Sequence, residues 1–233
     1  MIKAVLIDVD NTLLDFDEYV KFAMRTGFEK FGFKKYEDWM YDEFCLINSE
    51  FWGAYEKGEI TYEEIMKGRW NAIFEKLGIV GDGVEFEKFF KGTLFHNAIL
   101  MDGALETLNY LSTKYIVCTA TNGPYLQQLN RLKISGIEKY VTLNFISEEM
   151  GVAKPDKAFF TLALDRINER QREKGERELS FDNLIMIGDS LSSDMLGAKN
   201  SGIKTCFFDK NNKNKPFDYD YKITKLTQIK DIL

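Results

Sequence analysis

Two aspartates one residue apart, Asp8 and Asp10, stand where a short apolar run stops. On an extended backbone positions i and i+2 share a face, so this spacing directs both carboxylates into one crevice. Anions that close repel unless a cation or a shared proton relieves them. Mg²⁺ is the natural candidate, being a hard ion that takes oxygen ligands. A second acidic pair, Asp189 and Asp194, lies in Gly188-Asp189-Ser190-Leu191-Ser192-Ser193-Asp194, directly after the apolar Leu184-Ile185-Met186-Ile187. Between the two pairs come Thr121-Asn122-Gly123 and Lys154-Pro155. A hydroxyl, an amide and backbone N–H groups ahead of a helix suit a phosphate. A lysine held extended by the following proline can neutralise a phosphoryl group and nearby carboxylates. Each motif alone has an ordinary explanation as turn chemistry, a surface Lys-Pro pair, or acids favoured by a helix dipole. Their succession along one chain points to a single site.

Such residues need elements that carry them to a common edge. Ile2 to Ile7 reads as a buried parallel strand. Tyr115–Ala120, Val141–Ile146, Leu184–Ile187 and Ile203–Phe208 read as further strands, and Ile223 as a short edge strand. Helices are predicted over Ala104–Ser112, from Pro124, from Pro155 through Ile167, over Leu191–Asn200 closed by Gly202, and over Leu226–Leu233. This alternation predicts an α/β fold with a mainly parallel, Rossmann-like sheet covered on both faces. Open sheets of that kind bind ligands at the carboxyl ends of their strands, where all four motifs fall.

The stretch from about Phe16 to Phe95 differs: it reads as helical nearly throughout, with Thr61-Tyr62-Glu63-Glu64 as a capping box and stops at Gly32, Gly58 and Gly78. It predicts an inserted all-helical cap domain over residues 15–96, with residues 1–14 and 97–233 forming the α/β core. The aromatic stripes of these helices are read first as packing.

At 233 residues, 45% of them hydrophobic, the chain can bury a substantial core. The net charge of −6 argues against binding a nucleic acid polymer, while leaving room for a single nucleotide. Three cysteines without metal-ligand spacing, Cys45, Cys118 and Cys206, predict a reducing compartment. With no signal-peptide pattern and no bilayer-length apolar run, the expectation is a soluble cytoplasmic protein, monomeric or homodimeric, with no membrane partner. Arg170 to Glu178, nearly all charged, reads as a solvated helix end and loop, and the Asn/Lys-rich Lys210 to Lys215 as a mobile loop. His96, the single histidine, lies outside the four motifs and is read as structural or surface-exposed.

The four motifs together resemble those of the haloacid dehalogenase (HAD) superfamily hydrolases with a helical cap after the first strand. They are Asp8-Val9-Asp10-Asn11-Thr12, Thr121-Asn122-Gly123, Lys154-Pro155 and Gly188-Asp189-Ser190 with Asp194. Within that superfamily the chain is similar to the bacterial pyrimidine 5′-nucleotidases of the YjjG/YfnB-like group. Three segments carry that closer resemblance: Asn11-Thr12-Leu13-Leu14-Asp15-Phe16-Asp17, Phe51-Trp52-Gly53-Ala54-Tyr55-Glu56-Lys57-Gly58 followed by Arg69, and Ile146 to Pro155.

What the resemblance implies is a Mg²⁺-dependent phosphatase acting on small phosphomonoesters, a nucleoside monophosphate first among them. Asp8 would be the nucleophile and Asp10 the general acid and base. Thr121, the Asn122 backbone N–H and Lys154 would bind the phosphoryl oxygens. The metal would be held by Asp8, the Asp10 backbone carbonyl and Asp189, with Asp194 orienting that shell. A sugar-phosphate phosphatase or phosphomutase would keep the same motifs. A haloacid dehalogenase would lack an acid at the Asp10 position, and a catalytically dead binding module would not need the complete set. Specificity is expected in the cap, which would close over the leaving group. Asn48 and Trp52, one helical turn apart, and Arg69 are the candidates there. The competing explanation is that Trp52 packs the cap and Arg69 pairs with a neighbouring acid.

Overall fold

In the computed structural model, which describes residues 1–212 and 216–233, the apolar run at the N-terminus forms β1 (Ala4–Ile7), every residue of it buried. Four helices follow before the next strand: α1 (Phe16–Lys30), α2 (Asp38–Glu56), α3 (Tyr62–Leu77) and α4 (Gly83–Phe95). Then come α5 (Ala104–Ser112), β2 (Ile116–Thr121), α6 (Tyr125–Ile134), β3 (Leu143–Ile146), α7 (Ser147–Met150), α8 (Lys157–Glu173) and β4 (Leu184–Gly188). The chain finishes with α9 (Leu196–Asn200), β5 (Lys204–Phe208) and β6 (Tyr221–Ile223). It divides into two compact units, Met1–Asp15 with Ala98–Leu233, and Phe16–Asn97.

In the first unit the strands form one sheet in the order β3-β2-β1-β4-β5-β6, with every neighbouring pair parallel. Ala4 is in register with Ile116 on one side and Leu184 on the other, so β1 is central. Alternation along β1 sends Val5 and Ile7 to one face, with Leu108, Leu111 and Ile229. Ala4 and Leu6 go to the other, with Phe159, Phe160, Ala163 and Ala198. A strand buried on both faces must be apolar at every position, which is why this run carries no alternation. Because the strands are parallel, the segments following β1, β2, β3 and β4 all leave from the same edge.

Several expectations about individual elements need correction. The helix expected at Leu191–Asn200 opens as one wide turn, Leu191–Met195. The Ser190 carbonyl accepts from both Asp194 N (3.2 Å) and Met195 N (3.0 Å), and this stretches the spacing to five residues. The last helix, expected over Leu226–Leu233, is a 3₁₀ turn over Leu226–Asp231. Its buried anchors, Leu226 and Ile229, are three residues apart, the spacing at which side chains eclipse in that tighter helix. Pro155 does not start a helix: Asp156 caps α8, accepting from Ala158 N at 2.8 Å. Of the expected mobile loop, residues 213–215 lie outside the described residues.

The second unit is held by rings. Trp70 and Phe86 lie 4.5 Å apart, and Phe44, Phe74 and Phe90 surround them. The capping box at Thr61 is formed in both directions, and Gly78 ends α3 in the left-handed conformation. No helix among the described residues is long and apolar enough to cross a membrane.

Candidate active site

β1 delivers Asp8 to the sheet edge, where its backbone N donates to Ile187 O at 2.9 Å. The Lys154 ammonium donates to Asp8 Oδ1 (2.7 Å), Asp194 Oδ1 (2.5 Å) and Ala120 O (2.6 Å), which uses all three of its protons. Asp8, Lys154 and Asp194 are all buried. Asp194 Oδ2 also accepts from Ser190 N at 3.1 Å. This packing depends on Gly188, because a Cβ there would come within 2.1 Å of Asp194 Oδ2. Burial pushes the Asp8 carboxyl up to about 7. The pull of Lys154 opposes that rise, and Asp194 and Asp10 add to it. Burial also works against the charge on Lys154, but Asp194 and Asp8 outweigh it and raise the ammonium above its usual range.

The lysine is aimed by β2 and the loop after α7. Asn122 makes two reciprocal bonds to the Lys154 backbone: Nδ2 donates to its O (2.8 Å), and Oδ1 accepts from its N (2.9 Å). The Asn122 amide therefore serves to join the loop to the β2 end. Thr121 ends β2, buried, with its Oγ1 accepting from Gln128 Nε2 at 3.0 Å.

Asp10 does not continue the strand. The chain turns just after it: Leu13 N and Leu14 N both donate to Val9 O, and Asn11 has φ 59°. Asp8 faces Lys154 and Asp194, whereas Asp10 faces α6. There Arg131 Nη1 donates to its Oδ1 (2.7 Å) and Gln128 Nε2 to its Oδ2 (2.7 Å). Sequence reasoning missed both partners. The signal was a glutamine and an arginine three residues apart on the helix after Thr121-Asn122-Gly123, and thus on one helix face.

The expected cap residues fall in two places within the helical unit. Arg69 is buried and bonds Glu87 through Nε and Nη2, while its Nη1 donates to Asn48 Oδ1 at 2.8 Å. The charge of Arg69 is thus met by an acid of α4, as the packing alternative had it, and Asn48 completes that network. Trp52 is half-buried, edge-on to Tyr55 at 5.6 Å and 6.3 Å from Tyr62. His96 is exposed at the end of α4.

Carboxylate oxygens of Asp8, Asp189 and Asp194 lie within 4.8 Å of one another. Within that cluster the one Lys154 ammonium is shared between two carboxylates, Asp8 and Asp194. Three clustered carboxylates make an all-oxygen donor set that fits a hard divalent cation such as Mg²⁺.

Known proteins share this architecture. The chain is 31% identical to the Bacillus subtilis protein YfnB over 99% of this chain and 95% of that one. The magnesium-bound crystal structure of YfnB superimposes with a TM-score of 0.87, covering 100% of this chain and 98% of that one at 29% identity. The pyrimidine 5′-nucleotidase YjjG of Escherichia coli is 28% identical, over 91% of this chain and 88% of that one. The glyceraldehyde 3-phosphate phosphatase of Pyrococcus furiosus is 26% identical, over 100% and 93%. The haloacid dehalogenase-like hydrolase family model matches residues 2–202, a span that holds the whole acidic cluster and its lysine. On that match, and with its motifs gathered at one sheet edge, the chain belongs to the haloacid dehalogenase-like hydrolases.

Proposed function

We propose that this chain is a Mg²⁺-dependent phosphatase that hydrolyses small phosphomonoesters through an aspartyl-phosphate on Asp8, with a nucleoside 5′-monophosphate as substrate. The observation that carries this reading is the acid-rich cluster of Asp8, Asp189 and Asp194 with Lys154 buried beside it. When bound, Mg²⁺ would be held by the Asp8 and Asp189 carboxylates and the Asp10 main-chain carbonyl, and would supply charge neutralisation for Asp8 and the phosphoryl oxygens.

Asp8 attacks phosphorus as the ester oxygen leaves. The Asp10 carboxyl gives its proton to that oxygen, and in the second step its carboxylate takes a proton from the attacking water. Thr121, the Asn122 N–H and Lys154 bear on the phosphoryl charge. Asp194 holds Lys154 in place and orients the metal shell. An acid at the Asp10 position favours ester cleavage, which must protonate an alkoxide, over carbon–halogen cleavage, which does not.

The nucleotide assignment rests on similarity to YjjG, a pyrimidine 5′-nucleotidase, and on Trp52, whose ring sits among Tyr55 and Tyr62 and could stack on a base. Similarity to a glyceraldehyde 3-phosphate phosphatase supports the second reading, a sugar-phosphate phosphatase. The free thiols of Cys118 and Cys206, both buried, accord with a reducing, cytoplasmic setting. The deciding experiment measures phosphate release from nucleoside monophosphates, sugar phosphates and phosphoglycolate with and without Mg²⁺. Preference for UMP or dUMP is expected. Preference for a triose or pentose phosphate would transfer the assignment to the second reading, and no release from any ester would end both.

A further inference from the structure

Gln128 and Arg131 have no role in the chemistry above, yet they carry the tightest contacts of its general acid and base. Both are buried at 1% exposure, whereas the Asp10 side chain they hold is 32% exposed. A buried guanidinium is tolerated only when paired, and Asp10 is the carboxylate paired with Arg131 here. The contacts fix the Gln128 amide: its Oε1 accepts from Arg131 Nη1 (3.0 Å), which turns its NH₂ toward Asp10 Oδ2 and Thr121 Oγ1. Gly123 makes room for it, since a Cβ there would lie 2.7 Å from Gln128 Nε2. The helix is itself anchored, with Tyr125 N donating to Glu148 Oε2 at 2.6 Å.

We infer that Gln128 and Arg131 are positioning residues that hold the Asp10 carboxylate for proton transfer and tie it, through Thr121, to the phosphate-binding strand end. Each Asp10 oxygen accepts one bond from α6, and a carboxylate oxygen has two lone pairs. A lone pair therefore stays available on each oxygen for the proton. In the first step that proton passes to the leaving oxygen as its bond to phosphorus breaks and the Asp8–phosphorus bond forms. In the second, Asp10 takes a proton from water as the water oxygen bonds to phosphorus and the Asp8–phosphorus bond breaks. The inference rests on the phosphatase reading.

Two substitutions test it. Gln128→Glu keeps the shape and puts a repelling carboxylate where an amide donated. Arg131→Lys keeps the charge and loses the fork. Each is assayed on two alkyl phosphates, UMP and ribose 5-phosphate, and on p-nitrophenyl phosphate, whose leaving group needs little protonation. The expected result is a kcat loss of ~10–10²-fold on the alkyl esters, within the range of general acid–base catalysis. KM should change little, and the loss on p-nitrophenyl phosphate should be several times smaller. In an Asp10→Asn background neither substitution should lower kcat further, because residues acting as one unit are not additive. Equal losses on alkyl and aryl esters, or additive losses with Asp10→Asn, overturn the inference and leave the phosphatase reading standing. A wild-type chain inactive on all three esters overturns both. If one variant fails to fold by circular dichroism, the other carries the decision.

Discussion

Arg69 and Lys154 are both buried cations, one in each unit, at 3% and 2% exposure. Arg69 meets one acid, Glu87, and one neutral amide, Asn48. Its network is closed and electrically balanced. Lys154 meets two acids, Asp8 and Asp194, and Asp189 lies within reach of both. There one ammonium stands between two carboxylates. The environments of the acids follow suit: burial raises Glu87 against the pull of Arg69, while Asp8 is pushed to about 7 with Asp194 and Asp10 adding to the effect of burial. A balanced buried pair fixes packing. An unbalanced one is costly unless something else binds there, and that cost marks a functional site.

This contrast can be broken at four points. The largest effect is expected from Asp8→Asn, which removes the nucleophile at the unbalanced site. Phosphate release should fall on the order of 10⁴–10⁶-fold, as for other nucleophile deletions, with the fold retained by circular dichroism. Near-normal turnover by a pure sample would remove Asp8 from the chemistry.

The balanced network should answer in stability. Arg69→Met leaves Glu87 buried without a cation, and breaking such a pair costs about 3–5 kcal/mol. Urea unfolding should register that loss, and pairing it with Glu87→Gln should recover part of it. A variant of unchanged stability that lost turnover on nucleotides alone would move Arg69 from packing to substrate reading.

A smaller effect separates Trp52 from Asn48. Trp52→Leu should lower kcat/KM for UMP by roughly 10-fold, in line with ~1–3 kcal/mol for base stacking on an aromatic, and spare p-nitrophenyl phosphate. Asn48→Ala, which removes an acceptor from Arg69, should reduce the melting temperature with little change in selectivity. Parallel losses on both substrates for Trp52→Leu would make it a packing residue.

The last effect is in pH. The folded Asp8 carboxyl lies at about 7 against an ordinary 3.8, so between those values the unfolded chain binds fewer protons at this group. Stability contributed by this carboxyl is present below about 4 and falls as pH rises toward 7. In chelator, the wild-type melting temperature should therefore drop relative to Asp8→Asn between pH 5 and pH 8. Adding Mg²⁺ at pH 8 should restore it. A gap independent of pH would mean that Asp8 stays ionised without a cation.

By itself the sequence determined the parallel sheet, the helical insertion and the residues at the strand ends. Those properties are local: a short, β-branched apolar run that ends in turn residues suits a strand buried on both faces, and apolar residues at helical spacing with caps suit helices. Gly188 was legible as part of a motif, although its reason, the close approach of Asp194, was not. Tertiary structure alone decided which acid faces which cation. The pairings join residues far apart in the chain: Lys154 with Asp8, Arg131 with Asp10, and Arg69 with Glu87. Asp8 and Asp10, one residue apart, meet different partners: Lys154 holds the first, and Gln128 and Arg131 hold the second. The same holds for α6, whose Gln128 and Arg131 became partners of the acid only when the sheet placed β2 beside β1. Buried charge is balanced or left in excess by such long-range packing, and no periodicity in the chain encodes it.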